Sequence, residues 1–361
     1  MKSIFIVLFL LSAFESVAQN WQELPDFPGV ARDDGTAFVI EDTAYFGTGL
    51  TPWWAPTSDF YGFDLTNETW FSIASLPSGE ERQYAASFTS SNMAFIVGGH
   101  DGNNFLNDVW QFDPATNIWT ERSPIPAEGR SGAACWVFND TAYIIGGKTE
   151  LNQAIDEVWA YSIQSDTWIQ KNNLPFGGRW RSSATTLNDF GYLLFGKDEN
   201  ENFRNELFEY DPTQDSWTQI STFPSLGRSH AALFTFNAKI YAAFGLDSLS
   251  NSHNDLWQYD LANTTWQSLP GLPSVGRRGG MIVTTDNGMY YATGIDESDQ
   301  RLTEVWKYHP SLFTQDLTIE GQDKKLVKVV DLLGRETPIK ANEVLIYVYS
   351  DGTTEKVFHL D

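Results

Sequence analysis

Cysteine is almost missing from this 361-residue sequence: Cys135 stands alone, so no disulfide can form within the chain. Basic residues are scarce as well. Lys and Arg number 23 against 47 Asp and Glu, a formal net charge of −24. Binding to phosphate backbones needs clustered Lys and Arg, so this balance argues against a nucleic-acid partner. No apolar run approaches the roughly 20 residues that cross a bilayer, and no integral membrane span is expected. Catalytic signatures are missing too. There is no His-Glu-x-x-His, no Gly-x-Ser-x-Gly, no phosphate-cradling glycine loop and no EF-hand spacing. The five histidines are scattered. The sequence therefore predicts neither a metal nor a cofactor and names no catalytic residue.

What is present begins with a processing pattern. Lys2 precedes the apolar run 4–11, and Ser16-Val17-Ala18 supplies small residues where a signal peptidase reads. Residues 1–18 are expected to be a signal peptide, and the protein to be exported to the outer surface or the medium, with the periplasm as the fallback.

From there an interval of 49 residues governs the chain. Trp21, Trp70, Trp119, Trp168, Trp217 and Trp266 follow it, as do Gly49, Gly98, Gly147, Gly196, Gly245 and Gly294. A fixed period of this size means repeated modules. Within one module, Ser131–Phe138 reads as a strand of small and apolar residues. Asn139-Asp140 marks a hairpin turn, Thr141–Ile145 a second strand, Glu157–Tyr161 a third, and the segment around Trp168 a fourth. Four short strands per period and no helix signal predict an all-β propeller of four-stranded antiparallel blades. The small residues place the first strand beside the central channel, and the periodic aromatics fill the gaps between blades. Six modules are counted. Trp21 begins a fourth strand with no first three before it, and the last module lacks a fourth, so the N-terminal strand is expected to complete the sixth blade.

The Gly pairs Gly98-Gly99 and Gly146-Gly147, an aromatic four residues before the periodic Gly or its neighbour (Tyr45, Phe95, Tyr143, Tyr192), the Tyr-Asp or Phe-Asp step (Phe63-Asp64, Tyr210-Asp211) and the following Trp resemble the kelch repeat. The resemblance spans most of residues 19–313 and implies a six-bladed kelch propeller, usually a binding module. It also admits a sugar-active enzyme of the sialic-acid epimerase type, and a purely structural scaffold is the third alternative. A copper oxidase of the same fold needs a crosslinked Cys–Tyr pair, for which Cys135 has no fitting partner.

Strand alternation puts the loop entering strand one and the loop between strands two and three on one face. An arginine opens strand one in every blade (Arg32, Arg82, Arg130, Arg179, Arg228, Arg277), and an acid opens strand three (Asp59, Asp108, Glu157, Glu206, Asp255, Glu304). Two uses are open: a ring of guanidiniums at the channel mouth for an acidic ligand, or one structural ion pair per blade. Residues that break the repeat add Trp53 and Trp54 between Pro52 and Pro56, Trp180 and Arg181, and His230. Exposed rings beside charged groups suit carbohydrate, peptide or protein recognition.

After Phe313 the period stops. Residues 314–321 read as a linker and 322–361 as a strand, a strand and a hairpin. The Val-Val-Asp-Leu-Leu-Gly-Arg segment ending at Arg335 and the strand–Asp-Gly–strand ending resemble the C-terminal sorting domain of type IX secretion. That resemblance implies secretion machinery as a partner of the tail.

Overall fold

A computed structural model describes residues 20–151, 153–310, 326–331, 334–339, 344–349 and 354–358. The expected signal peptide and linker lie outside the described residues. The chain divides into two units, 1–310 and 311–361. Among the described residues there are strands and turns and no α-helix.

The first unit holds six four-stranded antiparallel sheets. Blade three is representative: Ala134–Phe138, Thr141–Ile145, Val158–Ser162 and Thr167–Gln170 pair in that order. Burial follows position in the blade. The second strand is buried on both faces and is correspondingly apolar, whereas the first alternates between a blade interface and the channel. The fourth is mostly exposed. The turn between strands one and two carries left-handed backbone at both Asn139 (φ 45°) and Asp140 (φ 59°), the geometry whose twist matches the flanking strands.

The sixth sheet is assembled from both ends of the propeller. Trp21–Leu24 pairs antiparallel with Val305–Tyr308, beside Gly288–Ala292 and Met281–Thr285. Six apolar clusters lie between neighbouring blades. One joins Phe38 and Phe60 to Ile96 and Trp119, and another joins Val283 and Val305 to Phe46 and Phe63, so the series returns to blade one. Each large side chain buried this way stabilises by about 1.5–3 kcal/mol.

Two features of the 49-residue period now have physical causes. The periodic tryptophans staple blades as well as fill space. The indole N–H of Trp70 donates to the Pro25 carbonyl, Trp119 to Ala74 and Trp168 to Ser123, each at 2.9 Å, reaching from one fourth strand to the preceding blade. The periodic glycines permit close approach. In blade two the part falls to Gly99, next to the periodic Gly98: Gly99 (φ 104°) donates its N–H to the Arg130 carbonyl of the next blade at 2.8 Å, and a Cβ there would lie 2.8 Å from the Gln83 carbonyl oxygen.

In the second unit, Leu326–Val330, Val344–Tyr349 and Thr354–Phe358 form a three-stranded antiparallel sheet.

Candidate functional site

The six blade-opening arginines are buried, and their guanidiniums turn to the acid of their own blade. Arg32 grips Asp59 with two bonds of 2.7 and 2.8 Å, and Arg228 grips Asp255 with two of 2.6 Å. Arg82 bonds Asp108 and Glu80, Arg130 bonds Glu157, and Arg277 bonds Glu304. Arg179 is the loosest, 3.9 Å from Glu206, whose carboxylate Arg204 also engages. Burial pushes the Asp255 carboxyl up, but the bonds and charge of Arg228 outweigh it and hold the group below its usual range. Of the two uses open to Arg32, Arg82, Arg130, Arg179, Arg228 and Arg277, the geometry takes the structural one. Pairing inside the blade satisfies a charge whose exposure at the mouth would leave the acids of strand three without partners. Trp180 does not stand exposed beside them. It is 6 % exposed, covered by Lys148 and Arg181 at 4.2 and 4.1 Å from its ring, and offers no free stacking face. Trp53 and Trp54 are 74 % and 73 % exposed. Their loop is fixed by Thr51, which donates its N–H and hydroxyl to the Ala55 carbonyl and accepts from the Trp54 N–H, and Arg301 lies 4.8 Å from the Trp54 ring.

The channel mouth is built two residues beyond each arginine. That position holds Asp34, Tyr84, Gly132, Arg181, His230 and Gly279, all with φ between 53° and 65°. Their backbones bond head to tail: Tyr84 N–H to Asp34 O, Gly132 to Tyr84, Arg181 to Gly132, His230 to Arg181, Gly279 to His230, and Asp34 to Gly279, at 2.6–3.4 Å. This circle of left-handed residues rims a cavity of about 140 Å³. Beneath it the channel is lined by small residues such as Ala37, Ala86 and Ala134 and encloses about 370 Å³. Cys135 lies on that wall, its thiol pushed by burial up to about 12, which leaves it protonated and inert.

Four different polar side chains thus meet at one structural position. His230 Nε2 lies 3.8 Å from Asp34 Oδ1, and both side chains are buried. The Arg181 guanidinium stacks 4.3 Å over the Tyr84 ring, with its Nε buried and lacking a partner. Burial, reinforced by the Asp33 carboxylate, pushes Asp34 well above the usual carboxylate range. Burial pushes His230 well below its ordinary value, and the Arg181 charge adds to it. Tyr84 is raised by burial and then by Asp34. Asp33 itself is held by Arg301 at 2.5 Å. The mouth therefore offers one fixed cation, a carboxyl that resists ionisation, a neutral imidazole and a phenol.

Of the residues singled out in the sequence, Arg181 and His230 belong to this mouth, whereas Trp53 and Trp54 stand on a loop of the same face. Asp34 and Tyr84 were missed. Their signal was their register: each follows its blade's arginine by two, as His230 does.

A family model described as the KLHDC2/KLHL20/DRC7 Kelch-repeats domain matches residues 10–147, and the Kelch motif matches residues 129–175 and 227–273. The chain carries kelch repeats. No curated protein matches it. Among solved structures, this kelch chain is similar to one titled "Structure of YjhT", with a TM-score of 0.69, 20 % identity, and coverage of 78 % of this chain and 95 % of that one. At that identity the likeness concerns the kelch propeller fold alone.

Proposed function

We propose that this kelch propeller is an exported binding module that takes a carbohydrate, peptide or protein ligand at the channel mouth, with Trp53 and Trp54 as an aromatic rim. The observation that carries the reading is the backbone at the mouth. Glycine is the natural occupant of left-handed conformation, and Gly132 and Gly279 show that it fits here. Tyr84 and Arg181 hold the same conformation at a cost of about 1 kcal/mol or more each, and such strain gathers at functional sites. The scaffold thus keeps one arginine per blade constant and varies the residue that faces the axis. Export is supported by the pattern of residues 1–18, and delivery by type IX machinery by the motif in the tail.

A glycan and peptide array probed with the full chain tests the assignment. Arg181→Gly and Tyr84→Gly preserve the backbone that Gly132 already adopts, so both variants are expected to fold. Hits that vanish in both support the mouth as the site, and hits that survive both place the ligand elsewhere.

One observation favours a second reading, a sugar-active enzyme. Asp34 and His230 approach to 3.8 Å and line one cavity with their proton affinities pushed in opposite directions, a pairing of acid and base that can give a proton to, and take one from, a small substrate bound beside them. Epimer ratios of candidate sugars followed by NMR in the presence of the chain test it, and ratios that never move remove it.

A further inference from the structure

Beside the mouth, blades three and four depart from the repeat at a second position. The residue after the periodic glycine turn is Leu50, His100, Leu246 or Ile295 in the other blades, but Lys148 and Lys197 in these two. Both side chains are largely buried, 14 % and 18 % exposed. They share one carboxylate. Glu201 accepts from Lys148 Nζ at 3.0 Å through Oε1 and from Lys197 Nζ at 3.2 Å through Oε2. Trp180 floors the pair, and its own Nε1 is buried with no partner. Arg181 lies on the same ring and joins this group to the mouth.

Glu201 differs from its two partners in exposure to solvent. It sits at a loop tip in left-handed backbone (φ 62°), held from below by Asp198, which accepts from the N–H groups of Asn200 and Asn202. Its side chain is about half exposed, so water reaches the carboxylate while the lysines stay covered. Two lysines fixed over an indole make a fork for one carboxylate, and the protein's own glutamate fills it from the solvent side.

We propose that Lys148 and Lys197 form a carboxylate-binding subsite that Glu201 occupies as a tethered competitor until a small acidic ligand displaces it. This deepens the mouth reading. The ligand's carboxylate takes the place of Glu201 between the two ammonium groups, and the rest of a small molecule reaches the 140 Å³ cavity past Arg181. The size of that cavity favours a small acid over a folded partner. Glu201 then sets a threshold, because a ligand must outcompete an intramolecular carboxylate at high effective concentration.

The test uses the full chain and D-glucuronate as probe, with D-glucose as the uncharged match, in ligand-observed NMR titrations at constant ionic strength. Glu201→Gln is expected to bind glucuronate about three- to tenfold more tightly than the native chain and to leave glucose unchanged. Glu199→Gln removes the same charge from the same loop and is expected to change nothing. Lys148→Gln with Lys197→Gln is expected to reduce glucuronate binding to the level of glucose. Equal gains in the two glutamate variants would reduce the effect to net charge and overturn the proposal, as would glucuronate binding no better than glucose in Glu201→Gln. An array ligand that needs Arg181 and Tyr84 but ignores Glu201, Lys148 and Lys197 would also overturn it, while leaving the mouth reading intact.

Discussion

Substituting Asp255 by Asn keeps the shape of a strand-three acid and removes its charge. Arg228 then stays buried with bonds to the Phe244 carbonyl at 2.9 Å and a ring contact to Phe223, but with no counter-charge. Breaking a fully buried pair from one side costs about 3–5 kcal/mol. The Asp255 side chain is 29 % exposed, and water screens part of that, so about 2–3 kcal/mol is expected here. A propeller of this size unfolds with an entropy near 0.6 kcal/mol per degree, so the melting temperature should fall by about 3–5 °C. The double variant Arg228→Met, Asp255→Leu removes both charges and replaces them with apolar bulk. It should recover at least half of the loss, because the penalty belongs to the orphaned guanidinium and not to the missing attraction. Asp299→Asn serves as the exposed control. Its carboxylate pairs with Arg278 but is 75 % exposed, and a shift below about 1 °C is expected. Circular dichroism melts at one pH and salt concentration read all three. If Asp255→Asn melts within 1 °C of the native chain, or if the double variant is less stable than the single one, the assignment of these arginines to structural pairs is refuted.

Three further outcomes are expected. Gly99→Ala should cost about 1–3 kcal/mol in urea titration, since it adds a Cβ 2.8 Å from a carbonyl at φ 104°; Gly102→Ala, at φ 101° but with no atom nearer than 3.6 Å, should cost only the conformational share of about 1 kcal/mol. His230 has a folded proton affinity below its unfolded value near 6.5, so its contribution to stability is present above that pH and is lost as pH falls toward the lower folded value. His230→Gly should therefore flatten the stability curve below about pH 6.5, and an unchanged slope would count against a buried neutral imidazole. Deleting residues 20–26 removes Trp21 and Leu24 from two inter-blade clusters and strips the partner strand from Val305–Tyr308. The whole propeller should melt earlier in one transition, and a melt like that of the intact chain would show that the pairing contributes nothing.

The architecture was legible because each periodic residue answers to a local demand that sequence records. Glycine marks left-handed backbone, tryptophan marks a gap between blades, and small residues mark the channel wall. The site was legible only in part. An arginine looks the same in sequence whether its guanidinium turns inward to Asp59 or outward to solvent, and only the fold decides. Trp180 carried the same ambiguity, since a ring flanked by arginines in sequence can be exposed or, as here, roofed by a lysine from the neighbouring blade. Asp34 and Tyr84 are invisible to motif reading because their meaning comes from register. They matter through the circle that six separate segments complete.

That circle also explains why one scaffold can present unlike chemistry without losing its shape. The backbone bonds at the rim are made by N–H and C=O groups, which every residue at these positions possesses, so the side chain is free to change. The arginine two residues earlier is not free, because it bonds the carbonyl of the turn and the acid of strand three together, as Arg32 does with Thr48 and Asp59. Stability therefore resides in the invariant pair, and under the proposed function selectivity resides in the residue two positions on. Because the arginine turns to its blade's acid while the residue two positions on lines the mouth, exchanging the rim residues should alter the ligand and leave the melting temperature at neutral pH nearly constant. Exchanging the arginines should do the reverse.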